Sequence, residues 1–351
     1  MPQQSPRPRR RSRRPVTIID VAKRAGVSTA TVSRALAKPE VVSPTARARV
    51  LAAISKTGFT PNFAARNLRA RRTMTVLVVV PNIANPFFAQ ILRGIDDALV
   101  AGGYGIVIGN LDNLVEREAR YVDLVFAGQV DGVLSMSSRV PAGNGRVMTE
   151  AGLPMATICV AVPGSGLPHI LVDDRAASVA VVEHLAGLGH RRFGFIAGPA
   201  ENINSIDRRR GFRDGLAAAG LDPDDAVYWP GNFMFDSGIA AAQDFLTRAD
   251  RPTAIYAASD HIAIAFMKTV RAAGLAVPGD VSVVGFDGLE FADFVEPTLT
   301  TVRQPRYELG RTGANLLLQA MRGEGSPPPR TVLPAPLLIR DSTAPPAPRK
   351  V

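Results

Sequence analysis

The residues with the most specific chemistry lie between Val16 and Leu36, in the segment VTIIDVAKRAGVSTATVSRAL. Gly26 ends one short helical pattern, and Ser28 is suited to cap the next one. Arg34 lies on the outer face of that second helix, where its planar guanidinium can donate two hydrogen bonds to one guanine. The spacing predicts a helix-turn-helix, in which the leading residues of the second helix reach base edges in the DNA major groove.

Three short helices are expected to position these side chains. Thr17 can cap the first helix, with Asp20 three residues later in a variant of the capping box. Ser43, followed by a proline, begins the third helix. The inward face of the third helix is expected to carry Val50, Leu51 and Ile54. The sequence therefore predicts a small all-α head over residues 16–60.

The charge of the chain is unevenly distributed. Residues 1–73 carry 17 Lys and Arg against 2 Asp and Glu, whereas the remaining residues carry 24 against 29. A basic head on a mildly acidic body is typical of nucleic-acid-binding proteins. Residues 1–15 are too polar to form a core and are predicted to be a disordered basic tail. The basic segment 61–73 is helical in pattern but short, so we expect a hinge that folds only when supported.

From Thr75 onwards, apolar strand patterns alternate with amphipathic helices, and the rhythm restarts after Val172. Two successive β/α sets of similar size predict two doubly wound lobes with parallel sheets. Ligands of such folds bind outside the carboxyl ends of the strands, so the cleft between the lobes is the expected ligand site. Residues 342–351 are proline-rich and are predicted to be a disordered tail.

Several classes of protein are disfavoured by composition. Cys159 is the one cysteine, so no intrachain disulfide can form, and no apolar run is long enough to span a bilayer. We expect a soluble cytoplasmic protein without a secretory signal. The four histidines show no metal spacing, and we predict no catalytic residues, no metal and no cofactor. Asp173 and Asp174 are interpreted as helix-capping carboxylates rather than an acid/base pair.

The chain resembles the LacI/GalR family of bacterial transcription regulators from about Val16 to Thr343. The resemblance rests on the head motif IIDVAKRAGVSTATVSRAL, the hinge FTPNFAARNL, and a series of body motifs in the same order. Those body motifs are VVVPNIANPFFAQILRGID, DGVL, LGHRRFGFIAGP, RRRGF, SDHIAIAFM, VSVVGFDG, PTLTTVRQP and LLIRDST. The resemblance implies a homodimer on palindromic double-stranded DNA, with a body shaped like a periplasmic sugar-binding protein.

The resemblance also implies how the body, residues 74–341, is divided. The family's two lobes are joined by three crossings, expected here near Val172, near Val302 and near Arg330. The N-lobe would comprise about residues 74–171 and 303–329. The C-lobe would comprise about residues 172–302 and 330–341.

The residues expected to contact DNA follow from the same resemblance. Base contacts are implied for Thr29, Ala30 and Arg34, and phosphate contacts suit the hydroxyls of Ser28, Thr31 and Ser33. In the hinge, Leu68 matches a leucine that wedges a central base step from the minor groove. The full predicted set is Thr17, Ser28, Thr29, Ala30, Thr31, Ser33, Arg34, Asn62, Ala65, Arg66 and Leu68. The alternatives are that the hydroxyls only cap a helix and that Leu68 packs on the body.

The residues expected to contact a small-molecule effector surround the cleft. The resemblance implies Asn85, Phe87, Phe88, Cys159, Arg208, Phe233, Asp260 and Asp287. An arginine with carboxylates and aromatic faces suits a polyhydroxylated ring. One of the two adjacent phenylalanines is expected to belong to the core instead, and Asp260 can simply cap the helix that follows it.

Cys159 departs from the family pattern. Many relatives have an aspartate at the end of this strand, where it accepts hydrogen bonds from the ligand. A thiol is a weak donor and acceptor, so this pocket lacks one polar anchor and the effector need not be an ordinary hexose. The alternative, which we favour, is that Cys159 acts as a small buried hydrophobe.

Three classes of function are compatible with parts of the sequence. The leading hypothesis is a transcriptional repressor, not an enzyme, whose DNA affinity is controlled by a carbohydrate or related metabolite. A solute-binding protein for transport would explain the body but not the basic head. A sugar-modifying enzyme has only the α/β fold in its favour, because no nucleophile or base stands out.

Overall fold

The computed structural model describes residues 16–59 and 72–348. The head contains three helices, Ile18–Ala25, Thr29–Ala37 and Pro44–Thr57, with a 3₁₀ turn at Pro39–Val41. Its small core consists of Val21, Ala22, Ala25, Val32, Ala35, Val50 and Ala53. The predicted all-α head is therefore confirmed, and the helix-turn-helix spans the first two helices.

The predicted caps of the head helices are present. The backbone N–H and the hydroxyl of Thr17 both donate to Asp20 Oδ2 at 2.8 Å. Gly26 has a φ of 66°, and Ser28 Oγ accepts from the Thr31 N–H at 3.1 Å. The expected inward position of Leu51 is wrong, because its side chain is exposed whereas Ala53 is buried on the inner side of that helix.

The first lobe of the body is built on a six-stranded parallel sheet. Its strands, in spatial order, are Arg330–Leu333, His169–Val172, Met155–Ile158, Gly132–Ser135, Thr75–Val80 and Gly105–Asn110. The flanking helices are Phe87–Ala101, Glu118–Phe126 and Arg306–Arg322, with 3₁₀ turns at Val115–Arg117 and Met148–Ala151. A two-residue hairpin pairs Ala142–Gly143 with Arg146–Val147.

The second lobe repeats this plan on another six-stranded sheet. The spatial order is Leu337–Leu338, Thr300–Arg303, Ser282–Asp287, Ala254–Ala257, Phe193–Ile196 and Val227–Trp229. All neighbours are parallel except the pair formed by the first two. The helices are Asp174–Gly187, Ile203–Ala218, Phe235–Thr247 and Asp260–Ala272, with 3₁₀ turns at Pro223–Asp225 and Glu290–Asp293. The predicted two-lobed α/β body is confirmed.

Two predicted boundaries need correction. The strand Arg330–Leu333 belongs to the first lobe and not to the predicted C-lobe, because it pairs in parallel with His169–Val172. The third crossing therefore falls after Leu333 rather than near Arg330. The expected disordered tail from 342 is also wrong at its start, because Ser342 is fully buried and donates to the Val283 carbonyl at 2.6 Å.

Several predictions concern residues outside the described ranges. They are the basic tail 1–15 and the hinge residues Asn62, Ala65, Arg66 and Leu68. Within the two described ranges, no helix combines the length and hydropathy needed to cross a bilayer.

Candidate functional site

The first candidate site is the outer face of the second head helix. Thr29, Ala30, Ser33 and Arg34 are exposed, and Arg34 Nε donates to the Ala30 carbonyl at 3.4 Å. The opposite side of this helix packs Val32 and Ala35 into the core. The exposed face therefore presents one guanidinium and two hydroxyls at the leading end of the helix, as a major-groove reader requires.

The hydroxyls at the start of this helix already have a structural role. Ser28 Oγ caps the helix and lies 2.9 Å from Thr31 Oγ1, whose residue is half-buried. If the Thr31 hydroxyl donates in that contact, the Ser28 hydroxyl hydrogen is left to reach a phosphate, because both bonds then use the Ser28 oxygen as an acceptor. The structure places Thr17 at the start of the first helix, where it is half-buried.

The second candidate site is a cleft of about 130 Å³ between the two lobes of the body. Seven of the eight residues predicted to bind the effector line it. They are Asn85, Phe87, Phe88, Cys159, Arg208, Phe233 and Asp287. The cleft lies at the carboxyl ends of both parallel sheets, where doubly wound folds bind ligands.

Arg208 is the electrostatic centre of the cleft. Only 4% of its surface is exposed, and its Nε donates to Asp174 Oδ1 at 2.7 Å. Its Nη1 donates to the Ala258 carbonyl at 2.5 Å and lies 3.6 Å from Asp287 Oδ1. The guanidinium also lies 3.7 Å from the ring centroid of Phe286. The arginine is thus fixed in one orientation between two carboxylates before any ligand arrives.

Asp287 is held in an unusual conformation and environment. Its φ of 119° is rare for a residue with a side chain, and such positions cluster at functional sites. Gln304 Nε2 donates to Asp287 Oδ1 at 2.9 Å. Burial raises the pKa of Asp287 to about 6, and the nearby charge of Arg208 opposes the rise. In its ionised form this group accepts hydrogen bonds from a ligand hydroxyl or amide.

The aromatic residues of the cleft have different environments. Phe88 is buried in the core of the first lobe, while Phe87 is half-buried and contacts the Phe88 ring edge-on, with centroids 5.2 Å apart. Phe233 approaches from the second lobe with a φ of 68°. The expectation that one phenylalanine of the adjacent pair belongs to the core is confirmed for Phe88, although part of its ring also reaches the cleft.

Cys159 is buried as expected, and it also lines the cleft. Burial raises the pKa of its thiol well above the usual range, and the carboxylates of Asp174 and Asp287 add to the rise. The thiol is therefore neutral. The polar contribution of this position comes from its backbone, because the Cys159 carbonyl accepts from Asn204 Nδ2 at 2.7 Å and so joins the two lobes.

Asp260 is the one predicted effector residue that the structure does not bring to the cleft. It is fully buried, its Oδ2 accepts from the Leu289 N–H at 2.7 Å, and its Oδ1 accepts from the Thr301 hydroxyl at 2.5 Å. Burial raises its pKa to about 8, and the Asp287 carboxylate adds to the rise. Asp260 therefore stabilises the loop that follows Asp287, through its hydrogen bond to the Leu289 backbone, without lining the cleft itself.

The sequence prediction missed a ring of cleft asparagines, namely Asn82, Asn113, Asn202, Asn204 and Asn232. Several of them hold turns. Asn202 Oδ1 caps the Ile203–Ala218 helix, and Asn82 Oδ1 accepts from the Ala84 N–H at 2.9 Å. The available signal was the position of Asn82, Asn113 and Asn232 two or three residues after a strand, because turn-forming asparagines at strand ends face the cleft.

Asp174 was also missed as part of this site. The capping interpretation holds for Asp173, whose Oδ1 accepts from the Ala176 N–H at 2.9 Å. Asp174 instead pairs with Arg208 inside the lobe, and burial raises its pKa against the lowering effect of that arginine. Nothing in the local sequence distinguishes these two adjacent carboxylates.

Comparison with known proteins gives a match for each of the two parts of the chain. Residues 17–62 match bacterial regulatory proteins of the lacI family, and residues 182–343 match a periplasmic binding protein-like domain. The chain is 37% identical over 328 residues to the HTH-type transcriptional repressor CytR of Escherichia coli strain K12, covering 93% of this chain and 96% of that protein.

Two solved structures are also similar to most of this chain. A lac repressor dimer bound to operator and the anti-inducer ONPF has 28% sequence identity and a TM-score of 0.83, covering 94% of this chain and all of that one. A complex of the transcriptional regulator CelR with cellobiose has 34% identity and a TM-score of 0.69, covering 93% of this chain and 99% of that one.

Proposed function

The chain belongs to the lacI family of bacterial regulatory proteins, and on that premise we propose that it is a transcriptional repressor whose hold on operator DNA is set by a small-molecule effector. The observation that carries the proposal is the combination of an exposed reading face around Arg34 with an interlobe cleft centred on Arg208. A transport protein would need only the second of these features.

The head supplies sequence-specific binding in this proposal. Arg34 donates a bidentate pair of hydrogen bonds to guanine, and Ala30 offers only apolar contact, for example to a thymine methyl group. Ser28, Thr31 and Ser33 position the helix on phosphates without reading sequence. The hinge residues Asn62, Ala65, Arg66 and Leu68 complete the interface from the minor groove, with Leu68 as an apolar wedge.

The effector class follows from the donors and acceptors of the cleft. A cation, a carboxylate and several amides around phenylalanine rings suit a neutral, polyhydroxylated compound such as a carbohydrate or a related metabolite. The CelR complex with cellobiose is an example of a relative with a carbohydrate ligand. The thiol at Cys159 makes fewer polar contacts than a carboxylate would, so the pocket favours a ligand with an apolar edge at that point.

Lobe closure connects the two sites in this mechanism. Asn204 of the second lobe bonds to the Cys159 carbonyl of the first, and Gln90 Nε2 lies 3.4 Å from Glu290 Oε1 across the cleft. An effector that contacts both lobes changes their closure and hence the spacing of the paired subunits. Since a short hinge helix is marginal alone, a change in subunit spacing can decide whether it folds on DNA.

A homodimer is the expected assembly, and exposed apolar residues offer a surface for it. In the first lobe, Val107 and Ile108 are exposed on the edge strand Gly105–Asn110. In the second lobe, Phe291 and Phe294 are exposed, the latter to 86%. A second copy of the chain is the proposed occupant because uncovered edge strands and aromatic patches favour association, and because the related lac repressor was solved as a dimer.

The direct test is selection of binding sites from a pool of random duplexes with the purified full-length protein. We expect enrichment of palindromic sequences, and we expect a thermal-shift screen of sugars, nucleosides and small acids to yield a compound that alters operator affinity. Equal affinity for selected and random duplexes at moderate salt would contradict the repressor proposal. A stabilising ligand without any effect on DNA binding would instead favour a solute-binding protein.

A further inference from the structure

The Ile203–Ala218 helix carries arginines on two sides. Arg208 faces the interlobe cleft, whereas Arg209, Arg210 and Arg213 line a second cavity of about 510 Å³ within the second lobe. This arginine cavity is also lined by Ser205, Tyr228 and Trp229. It lies at the carboxyl ends of Phe193–Ile196 and Val227–Trp229, and none of its described lining residues is acidic.

One of these arginines stacks on an aromatic ring of the cavity, and a second is near enough to influence its hydroxyl. The Arg209 guanidinium carbon lies 5.2 Å from the ring centroid of Tyr228. Arg213 lines the same cavity as this tyrosine, whose hydroxyl donates to the Pro223 carbonyl at 3.2 Å. Burial raises the pKa of Tyr228 while both arginines oppose the rise. The guanidinium groups are thus gathered at one wall rather than spread over the helix surface.

The positive charge of the cavity is only weakly compensated. Arg213 pairs with Asp224 at 2.8 Å, but the Asp224 side chain is 78% exposed. Arg210 pairs with Asp207 at 3.2 Å in an exposed i,i+3 contact. Within the described part of the chain, no carboxylate lies within ion-pair distance of Arg209. Because exposed ion pairs contribute little, an anion that satisfies several guanidinium groups at once competes well with them.

We propose that the arginine cavity is a second ligand site that binds a small phosphate monoester. Guanidinium groups match phosphate geometry through bidentate hydrogen bonds, and Arg209, Arg210 and Arg213 together offer enough donors for the three terminal oxygens. The volume is larger than inorganic phosphate needs and lies within the range of small-molecule pockets. The organic part of the ester would then contact the apolar wall formed by Trp229 and Pro230.

The two cavities share a structural wall. Ser205 lines the arginine cavity, while Asn204 and Arg208 on the same helix line the cleft. A Cβ atom added at Gly198, on the wall of the arginine cavity, would lie 2.2 Å from the ring of Phe233, which lines the cleft. An ester bound in the arginine cavity would therefore contact the same helix and the same Gly198 turn that shape the cleft, which couples the two sites. This coupling rests on the proposed repressor function, but the binding itself does not.

The test compares binding of glycerol 3-phosphate, inorganic phosphate and glycerol to the full-length protein by calorimetry. The double variant R209Q/R213Q removes two of the charges. The matched control is Arg192→Gln, because Arg192 pairs with Asp250 and is 39% exposed, close to the 38% of Arg213, yet lies at the other end of the sheet. Circular dichroism establishes that each variant is folded.

We expect glycerol 3-phosphate to bind the native protein and R192Q alike, and to bind R209Q/R213Q at least about tenfold more weakly. The charge-conserving variant R209K/R213K should recover part of this loss. Lysine keeps the positive charge but lacks the planar guanidinium that can donate two parallel hydrogen bonds to phosphate. Equal affinity for all variants, or no binding of either phosphate probe to the native protein at about 10 mM, would overturn the proposal. Loss of phosphate binding leaves operator binding measurable, so the two proposals fail separately.

Discussion

At the scale of single residues, one arginine characterises each candidate site: an exposed arginine in the DNA-binding head and a buried arginine in the effector cleft. Arg34 is exposed, and among the described residues its hydrogen bond is to the backbone of its own helix, so its guanidinium is available to a base edge. Arg208 is buried and held on several sides, so it offers a preorganised charge to the ligand. Substitution at either position therefore has different consequences for stability.

Replacing Arg34 with alanine should reduce binding to the selected operator while leaving the free energy of unfolding nearly unchanged. A bidentate arginine–guanine contact contributes about 1–3 kcal/mol of discrimination, so specific affinity should fall by about tenfold or more, and non-specific affinity much less. Fluorescence anisotropy with operator and scrambled duplexes at one salt concentration measures both. Equal losses on the two duplexes would remove the base-reading role of Arg34.

Replacing Arg208 with alanine should abolish the effector response and also destabilise the body. Removing one partner of a buried ion pair leaves uncompensated carboxylates at Asp174 and Asp287, which typically costs about 3–5 kcal/mol. Urea unfolding and effector titration are the measurements. Arg175→Ala is the control, because its ion pair with Asp214 is exposed and its loss should change little. A normal effector response in Arg208→Ala would mean that the cleft is not the effector site.

At the scale of elements, close helix packing sets the position of Arg208. The Asp174–Gly187 and Ile203–Ala218 helices approach at Gly211, where an added Cβ would lie 2.2 Å from the Arg175 carbonyl oxygen. The first helix supplies Asp174 and the second supplies Arg208, so the distance between the two helices determines the geometry of this ion pair. Gly211 does not line the cleft, yet by permitting this close helix contact it sets the geometry of the Asp174–Arg208 ion pair.

Replacing Gly211 with alanine should lower both the free energy of unfolding and the effector affinity. The added methyl group forces the helices apart, and overpacking of this kind costs about 1–3 kcal/mol despite the better helix propensity of alanine. The matched control is Gly187→Ala in the partner helix, where no atom lies within 4 Å of the added Cβ. Thermal unfolding and effector titration of both variants test this. Equal stability of the two variants would contradict the role assigned to the close contact.

At the scale of the whole molecule, buried titratable groups make the stability of the body depend on pH. Burial raises the pKa of Asp287 to about 6 and that of Asp260 to about 8. A carboxyl with a higher pKa in the folded state lowers stability as the pH rises from its unfolded value towards its folded value. Burial also lowers the pKa values of the histidines at 169, 184, 190 and 261, which acts in the opposite direction.

The variant Asp260→Asn isolates one of these contributions. The free energy of unfolding of the native protein, relative to this variant, should decrease as the pH rises from about 5 to about 8, because only the native protein must ionise a buried carboxyl. Urea unfolding at several pH values measures the difference. Asp250→Asn serves as the control, since Asp250 is exposed in its ion pair with Arg192. A pH-independent difference for Asp260→Asn would show that this carboxyl is already ionised throughout the range.

The features that can be predicted directly from the amino-acid order are local or periodic. The capping residues Thr17 and Ser28, the turn at Gly26 and the alternation of strands and helices depend on neighbours within a few positions, so their physical causes are visible in the chain. Resemblance to a known family then identified most of the cleft residues, including Arg208 and Asp287.

The pairing of distant segments and the burial of individual polar groups could be established from the three-dimensional fold alone. The assignment of Arg330–Leu333 to the first lobe and the burial of Ser342 come from pairing with strands far away in the chain. Asp173 and Asp174 have different roles because they contact different partners, and Asp260 lies outside the cleft. These differences depend on which element packs against each carboxylate. These outcomes reflect long-range packing and desolvation, which leave no signature in local sequence.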